Sequence, residues 1–248
     1  MRQNDPVLLQ TKGLTRRFGG LLAVSNLNLE IFKGEILGLI GPNGAGKSTT
    51  FNLISGFIKP TSGSLTIFQQ DCTGKSPLVI SRLGLVRTFQ HGSYMRSMSV
   101  RDNILLGTIH TLSGAGNAER ARRVEETAAI LGIAGYLERL AGTLPHGIQR
   151  LVSIAIAFAA RPRLLCLDEP LTGLNQTEVA STLDVFRTIR SEYGSTILLV
   201  EHNMKAVMTV CDRIVVLHHG QQLAAGTPAE VRRDDKVISA YLGKHHAK

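Results

Sequence analysis

The stretch GPNGAGKST, Gly41–Thr49, constrains this chain more than any other part of it. It satisfies G-x-x-x-x-G-K-[ST], and each residue type in the pattern has a physical job. Glycines let a backbone bend around an anion and turn its N–H groups inward. A helix starting near Gly46 aims the positive end of its dipole at the same anion. Lys47 reaches the β- and γ-phosphates of a nucleotide, and the Ser48 hydroxyl is a ligand for Mg2+. An apolar strand over Glu35–Ile40 precedes the loop, and Lys47–Ser55 reads as a helix after it, which is the context the motif needs. Gly41, Pro42, Asn43, Gly44, Ala45, Gly46, Lys47, Ser48 and Thr49 are therefore the expected nucleotide-binding residues.

A second feature lies far along the chain. In RLLCLDEP, Arg163–Pro170, an apolar strand ends in two acids. The carboxyl end of a buried strand is where open α/β sheets bind ligands. Asp168 suits a water-mediated hold on Mg2+. Glu169, one residue on, is placed to polarise an attacking water. A further strand, Thr196–Val200, ends in Glu201-His202, where a lone histidine is by itself unremarkable.

Between these points the pattern alternates. Val7–Gln10, Ala23–Ile31 and Ser64–Phe68 read as short strands, separated by turn residues such as Pro60–Gly63. Residues from about 100 to 160 read as helical, with apolar positions at Ala121, Val124, Ala128 and Leu131, and Asp102 as a candidate cap. Leu164–Leu167, Thr196–Val200 and Ile214–Leu217 are strands buried on both faces, and Val179–Ile189 is a helix among them. Strands alternating with helices imply a parallel sheet covered on both sides.

Composition narrows the partners. The formal net charge of +9 favours nucleotides, nucleic acid or an anionic membrane face, without choosing among them. Three cysteines, Cys72, Cys166 and Cys211, stand far apart, against a disulfide framework or zinc site and in favour of a reducing compartment. The N-terminus has no apolar stretch of signal-peptide type. The longest apolar run, Leu151–Ala160, is well short of the ~20 residues of a membrane span. A membrane role is expected only through a partner.

The ordered set of motifs resembles the ATPase family of ABC transporters, nearly end to end. Gly41–Thr49 matches its Walker A loop, and RLLCLDEP matches Walker B with the adjacent glutamate. RTFQH at Arg87–His91 places Gln90 as the Q-loop glutamine, and LPHGIQR at Leu144–Arg150 stands where the family has its LSGGQ-type signature. LTGLN at Leu171–Asn175 resembles the D-loop, His202 the switch histidine, and Phe18 the aromatic that stacks on adenine. RFGGLLAV at Arg17–Val24, the altered signature and the tail at Gly226–Gly243 are most similar to the ATPases of branched-chain amino acid importers, with importers for urea or amides as relatives.

The resemblance implies a P-loop NTPase core in the α/β class, a parallel sheet with flanking helices. An N-terminal antiparallel β region and an inserted helical subdomain complete it. Residues 1–90 and 162–248 would form the core and 91–161 the helical subdomain. It implies ATP and Mg2+ as cofactors, with Ser48, Gln90 and Asp168 at the metal. Glu169, His202 and Gln90 would be catalytic, and Phe18 and Gly147 further contacts to nucleotide. It implies a head-to-tail dimer with a second ATPase subunit, identical or different. Integral membrane permease subunits, and through them a periplasmic or extracellular solute-binding protein, complete the partners, with no nucleic acid. The place would be the cytoplasmic face of the membrane. Pro145 and His146 depart from the signature, as do Leu151 and Ile156 where arginines are common. Slower hydrolysis, or dependence on a more typical partner ATPase, would follow. ABC ATPases of translation or DNA maintenance fit less well: there is one phosphate loop, and residues 90–144 are too few for a long coil.

Overall fold

The computed structural model describes residues 6–89, 94–109, 111–112 and 114–242. Two compact units emerge, Met1–Leu83 with Leu198–Lys248, and Gly84–Ile197.

The first unit contains an antiparallel sheet and a parallel strand pair with an antiparallel edge. Strand β1 (Val7–Phe18) pairs with β2 (Leu21–Leu27), β3 (Glu30–Phe32) and, later in the chain, β5 (Ser62–Ile67), all antiparallel. β1 is three times as long as Val7–Gln10 predicts. Gly13, at φ +58°, and register shifts carry it past a stretch whose polar residues break the alternation. Ala23–Ile31 divides into β2 and β3, broken at Asn28 and Leu29, and Asn26 within β2 adopts the left-handed region. The short β6 (Gln70–Asp71) closes this sheet on β5.

Strand β4 (Ile36–Ile40) is buried along its whole length. It runs parallel to β10 (Arg213–His218), which pairs antiparallel with β11 (Gln221–Gly226). Gly38 sits in β4 because a Cβ there would stand 3.0 Å from Cys211 Sγ and from Val207. Val207 belongs to helix α7 (Met204–Val210), so the missing side chain lets that helix lie close on the strand. At the base of β4 the Glu35 carboxylate accepts from Arg213 Nη2 at 2.9 Å, and Asp212 accepts from Ile36 N–H at 2.8 Å. Helices α1 (Lys47–Ile54), α2 (Pro77–Leu83), α8 (Pro228–Arg233) and α9 (Asp235–Leu242) complete the unit.

The second unit is built on β7 (Leu85–Arg87) and β8 (Leu164–Asp168), which are parallel. Thr196 N–H donates to Arg163 O at 3.0 Å where β9 (Thr196–Val200) begins. Helices α3 (Val100–Thr108), α4 (Asn117–Ile130) and α5 (His146–Ala159) confirm the helical reading of this region, and α6 (Gln176–Tyr193) follows β8. α3 lies hard against α5, since a Cβ on Gly107 would reach within 2.0 Å of Ile156 O. The cap of α3 is Ser99 and not Asp102. Ser99 Oγ accepts from Asp102 N–H, and Asp102 is the third helical residue, its carboxylate bonded back to that hydroxyl. Cys72, Cys166 and Cys211 are buried free thiols. Among the described residues no helix is long and apolar enough to cross a membrane.

Candidate nucleotide site

In the first unit, the loop Gly41–Gly46 joins β4 to α1. Three of its glycines have positive φ: Gly41 at 153°, Gly44 at 78° and Gly46 at 100°. Their reasons differ. A Cβ on Gly41 would collide with Leu217 O at 2.2 Å, and one on Gly46 with Ala23 O at 2.6 Å, whereas Gly44 faces open space. The loop is pressed between β2 and the β10–β11 turn. Gly220 N–H donates to Ala45 O at 3.0 Å, and Ser25 N–H donates to Gly220 O at 2.8 Å. Its shape is therefore set by the protein and does not wait for a ligand.

Lys47 is buried, and its Nζ donates to Gly41 O at 2.7 Å and Pro42 O at 3.1 Å. The ammonium is thus folded over the loop's own carbonyls. Ser48 is exposed. Gly46 caps α1 without a side chain. It gives the first-turn amides of Ser48 and Thr49 no side-chain cap, and helix geometry leaves such amides without an intrahelical acceptor. Those amides, the dipole and a lysine make a concentrated positive patch on rigid backbone, which is the chemistry of a phosphate receptor.

His202 lies in the same unit, its side chain 59% exposed. Glu201, fully buried at the end of β9, accepts from His202 N–H at 3.1 Å and Asn203 N–H at 3.3 Å. Asn203 in turn caps α7 through Ala206 N–H. The histidine is therefore presented from a turn that a buried carboxylate holds in shape. Phe18, at the end of β1, is half-exposed, with the Arg16 guanidinium 4.5 Å from its ring centre.

In the second unit, β8 delivers Asp168 at its carboxyl end, buried, with its N–H donated to Thr88 Oγ1 at 3.1 Å. Arg87 Nη2 lies 3.5 Å from Asp168 Oδ2. Glu169 has φ +48°, a left-handed backbone that a non-glycine residue adopts at a cost of order 1 kcal/mol or more. Such strain sets the direction in which the side chain leaves the strand. The next turn, Leu171–Asn175, runs into α6, whose first turn is closed by a capping box between Asn175 and Glu178.

The segment Leu144–Arg150 opens α5, with Pro145 as N-cap and no side-chain cap bond. Gly147 is buried, and a Cβ there would come within 2.4 Å of Glu178 Oε1. The His146 ring packs beside Gly173, 3.0 Å from where a Cβ would stand. The opening of α5 is thus fitted against the turn before α6. Gln149 is committed locally, donating to Leu144 O at 2.8 Å and accepting from Tyr94 Oη at 2.6 Å. Gln90 lies outside the described residues. Arg87, Thr88, Glu178 and Glu201 were given no role by sequence. Thr88 and Arg87 do stand inside the RTFQH motif, and Glu201 beside His202.

A model of the family described as "ABC transporter" matches residues 24–172, and one described as "Branched-chain amino acid ATP-binding cassette transporter" matches residues 221–247. The chain is 42% identical over 96% of its length, and 98% of the relative's, to the high-affinity branched-chain amino acid transport ATP-binding protein LivG of Escherichia coli. It is 40% identical, with the same coverage, to the BraF protein of that function in Pseudomonas aeruginosa. Among solved structures, an ATP-binding cassette of an ABC transporter in its ADP conformation superposes with a TM-score of 0.85. It shares 29% identity, and the match covers 96% of this chain and all of that one.

Proposed function

Because this chain belongs to the ATP-binding subunits of ABC transporters, we propose that it hydrolyses ATP to energise uptake of branched-chain or related amino acids. The observation that carries the proposal is the preformed loop Gly41–Gly46 with Lys47 folded across it. The near-full-length match to LivG and BraF, at 42% and 40% identity, and the match of the tail support the substrate class.

Phosphoryl transfer to water needs little covalent chemistry from a protein, so positioning and charge carry the rate. Lys47 and the amides of Gly44–Thr49 hold the phosphates, and Phe18 stacks on the base. Ser48, Asp168 and Gln90 would hold Mg2+. Hydroxyl, amide and carboxylate are hard oxygen donors of the kind that ion takes. Among the described residues no group of three or more His, Cys, Asp or Glu side chains gathers into a metal centre, so nucleotide and water would supply the remaining ligands. Bound there, Mg2+ offsets charge on the phosphate oxygens. Glu169 orients the attacking water, and His202 contacts the terminal phosphate. The signature contact to a second subunit's nucleotide falls to Gly147 and neighbouring backbone. Closing and reopening that dimer would drive permease subunits at the cytoplasmic face of the membrane.

One observation favours a variant of this reading. Pro145 offers no hydroxyl and His146 is occupied against Gly173, so the signature contributes less to a partner's phosphate than a serine and two glycines would. Turnover that depends on a second, more typical ATPase subunit is the expected form of this. Phosphate release from the purified chain, alone and with its paired subunits, tests both readings. Glu169→Gln is expected to retain ATP and lose turnover by at least about a hundredfold, the scale of a lost general base. Near-normal release by that variant would remove Glu169 from its role.

A further inference from the structure

Arg87 is a largely buried cation that the proposed chemistry does not use. It ends β7, one strand over from β8, and parallel pairing sets it level with Cys166, two residues before Asp168. Its side chain is 10% exposed and that of Asp168 8%, with Nη2 3.5 Å from Oδ2. The next residue, Thr88, accepts from Asp168 N–H, so two consecutive side chains of one strand end bear on one carboxylate residue. On its other side the guanidinium lies 4.8 Å from the ring centre of Phe89, which is half-exposed and precedes Gln90. Burial pushes Arg87 below the ordinary arginine pKa, and Asp168 opposes that shift. A buried charge of this kind persists only where a partner compensates it.

We propose that Arg87 is the built-in counter-ion of Asp168, holding that carboxylate in place and setting how much Mg2+ is needed to bind there with nucleotide. The inference rests on the reading of Asp168 as the carboxylate that faces Mg2+. A guanidinium beside that carboxylate repels an arriving dication and weakens its binding. In return it keeps Asp168 compensated and aimed at all other times. Arg87 is thus a positioning residue that tunes metal demand, and its stacking on Phe89 ties that setting to the segment leading to Gln90.

The test uses the full chain and a non-hydrolysable fluorescent ATP analogue titrated with MgCl2. For Arg87→Gln, which keeps a hydrogen-bond donor and removes the charge, half-maximal binding is expected at no more than about a fifth of the wild-type Mg2+, the smallest shift that a cation–dication repulsion gives when screened as in water. Arg87→Lys is expected to stay near wild type. An unchanged or raised Mg2+ requirement in Arg87→Gln, or a lysine variant that behaves like the glutamine one, overturns the proposal. Wild-type binding with no Mg2+ dependence overturns the reading of Asp168 and this inference with it. If Arg87→Gln does not fold, recovery of a cooperative thermal transition in Arg87→Gln/Asp168→Asn supports the pairing, because both charges then leave together. Failure to recover overturns it.

Discussion

At Gly46 and Lys47, neighbouring residues meet opposite demands: one must have no side chain and the other must have a long one. Gly46 is fixed by Ala23 O, 2.6 Å from any Cβ, and by a φ of 100°. Lys47 reaches back over Gly41 and Pro42, satisfied by carbonyls that a phosphate would outcompete as a partner for its charge. Lys47→Ala is therefore expected to weaken ATP binding by at least about tenfold, the loss of one charge-assisted contact, measured by nucleotide titration. Unchanged affinity would contradict the cradle. Much of this scale was legible beforehand, because the loop's residues are contiguous and the motif encodes the geometry directly. Arg87, Thr88 and Glu201 were not. Their roles arise from strand register and from a buried turn, and nothing in local spacing says that Thr88 bonds Asp168 eighty residues on.

The elements that position these groups depend on their ends. α6 starts with the Asn175–Glu178 box, immediately after the turn that follows Glu169, and Glu178 also fills the space that Gly147 leaves open. Asn175→Ala is expected to cost about 1 kcal/mol of stability, as a lost N-cap does, read from denaturant unfolding. A change within error would mean that the box is idle. Fully buried strands such as β8 and β9 showed plainly in the sequence, Thr196–Val200 with its observed bounds. Edges and short helices did not. β1 loses its alternation at an irregular register, and α2, α7 and α8 are six or seven residues long, too short for helical periodicity to declare itself. At the start of α3 both Ser99 and Asp102 are cap-forming types, and only the backbone decides between them.

For the whole molecule, the proposed function requires one magnesium–nucleotide complex to engage both Lys47 and the acids that end β8. The fold class, α/β with an antiparallel region and helical insertion, was readable from strand–helix alternation and from the family likeness, and the structural neighbours agree with it. The transported solute leaves no mark on the residues that bind nucleotide, so its class rests on relatives. The most direct test is an experimental structure of the Glu169→Gln variant with ATP and Mg2+. The expected result is the terminal phosphate within hydrogen-bond reach of Lys47 Nζ and a metal-bound water on Asp168, both at the same nucleotide. Nucleotide bound at Lys47 with Asp168 and residue 169 turned away from its phosphates would contradict it.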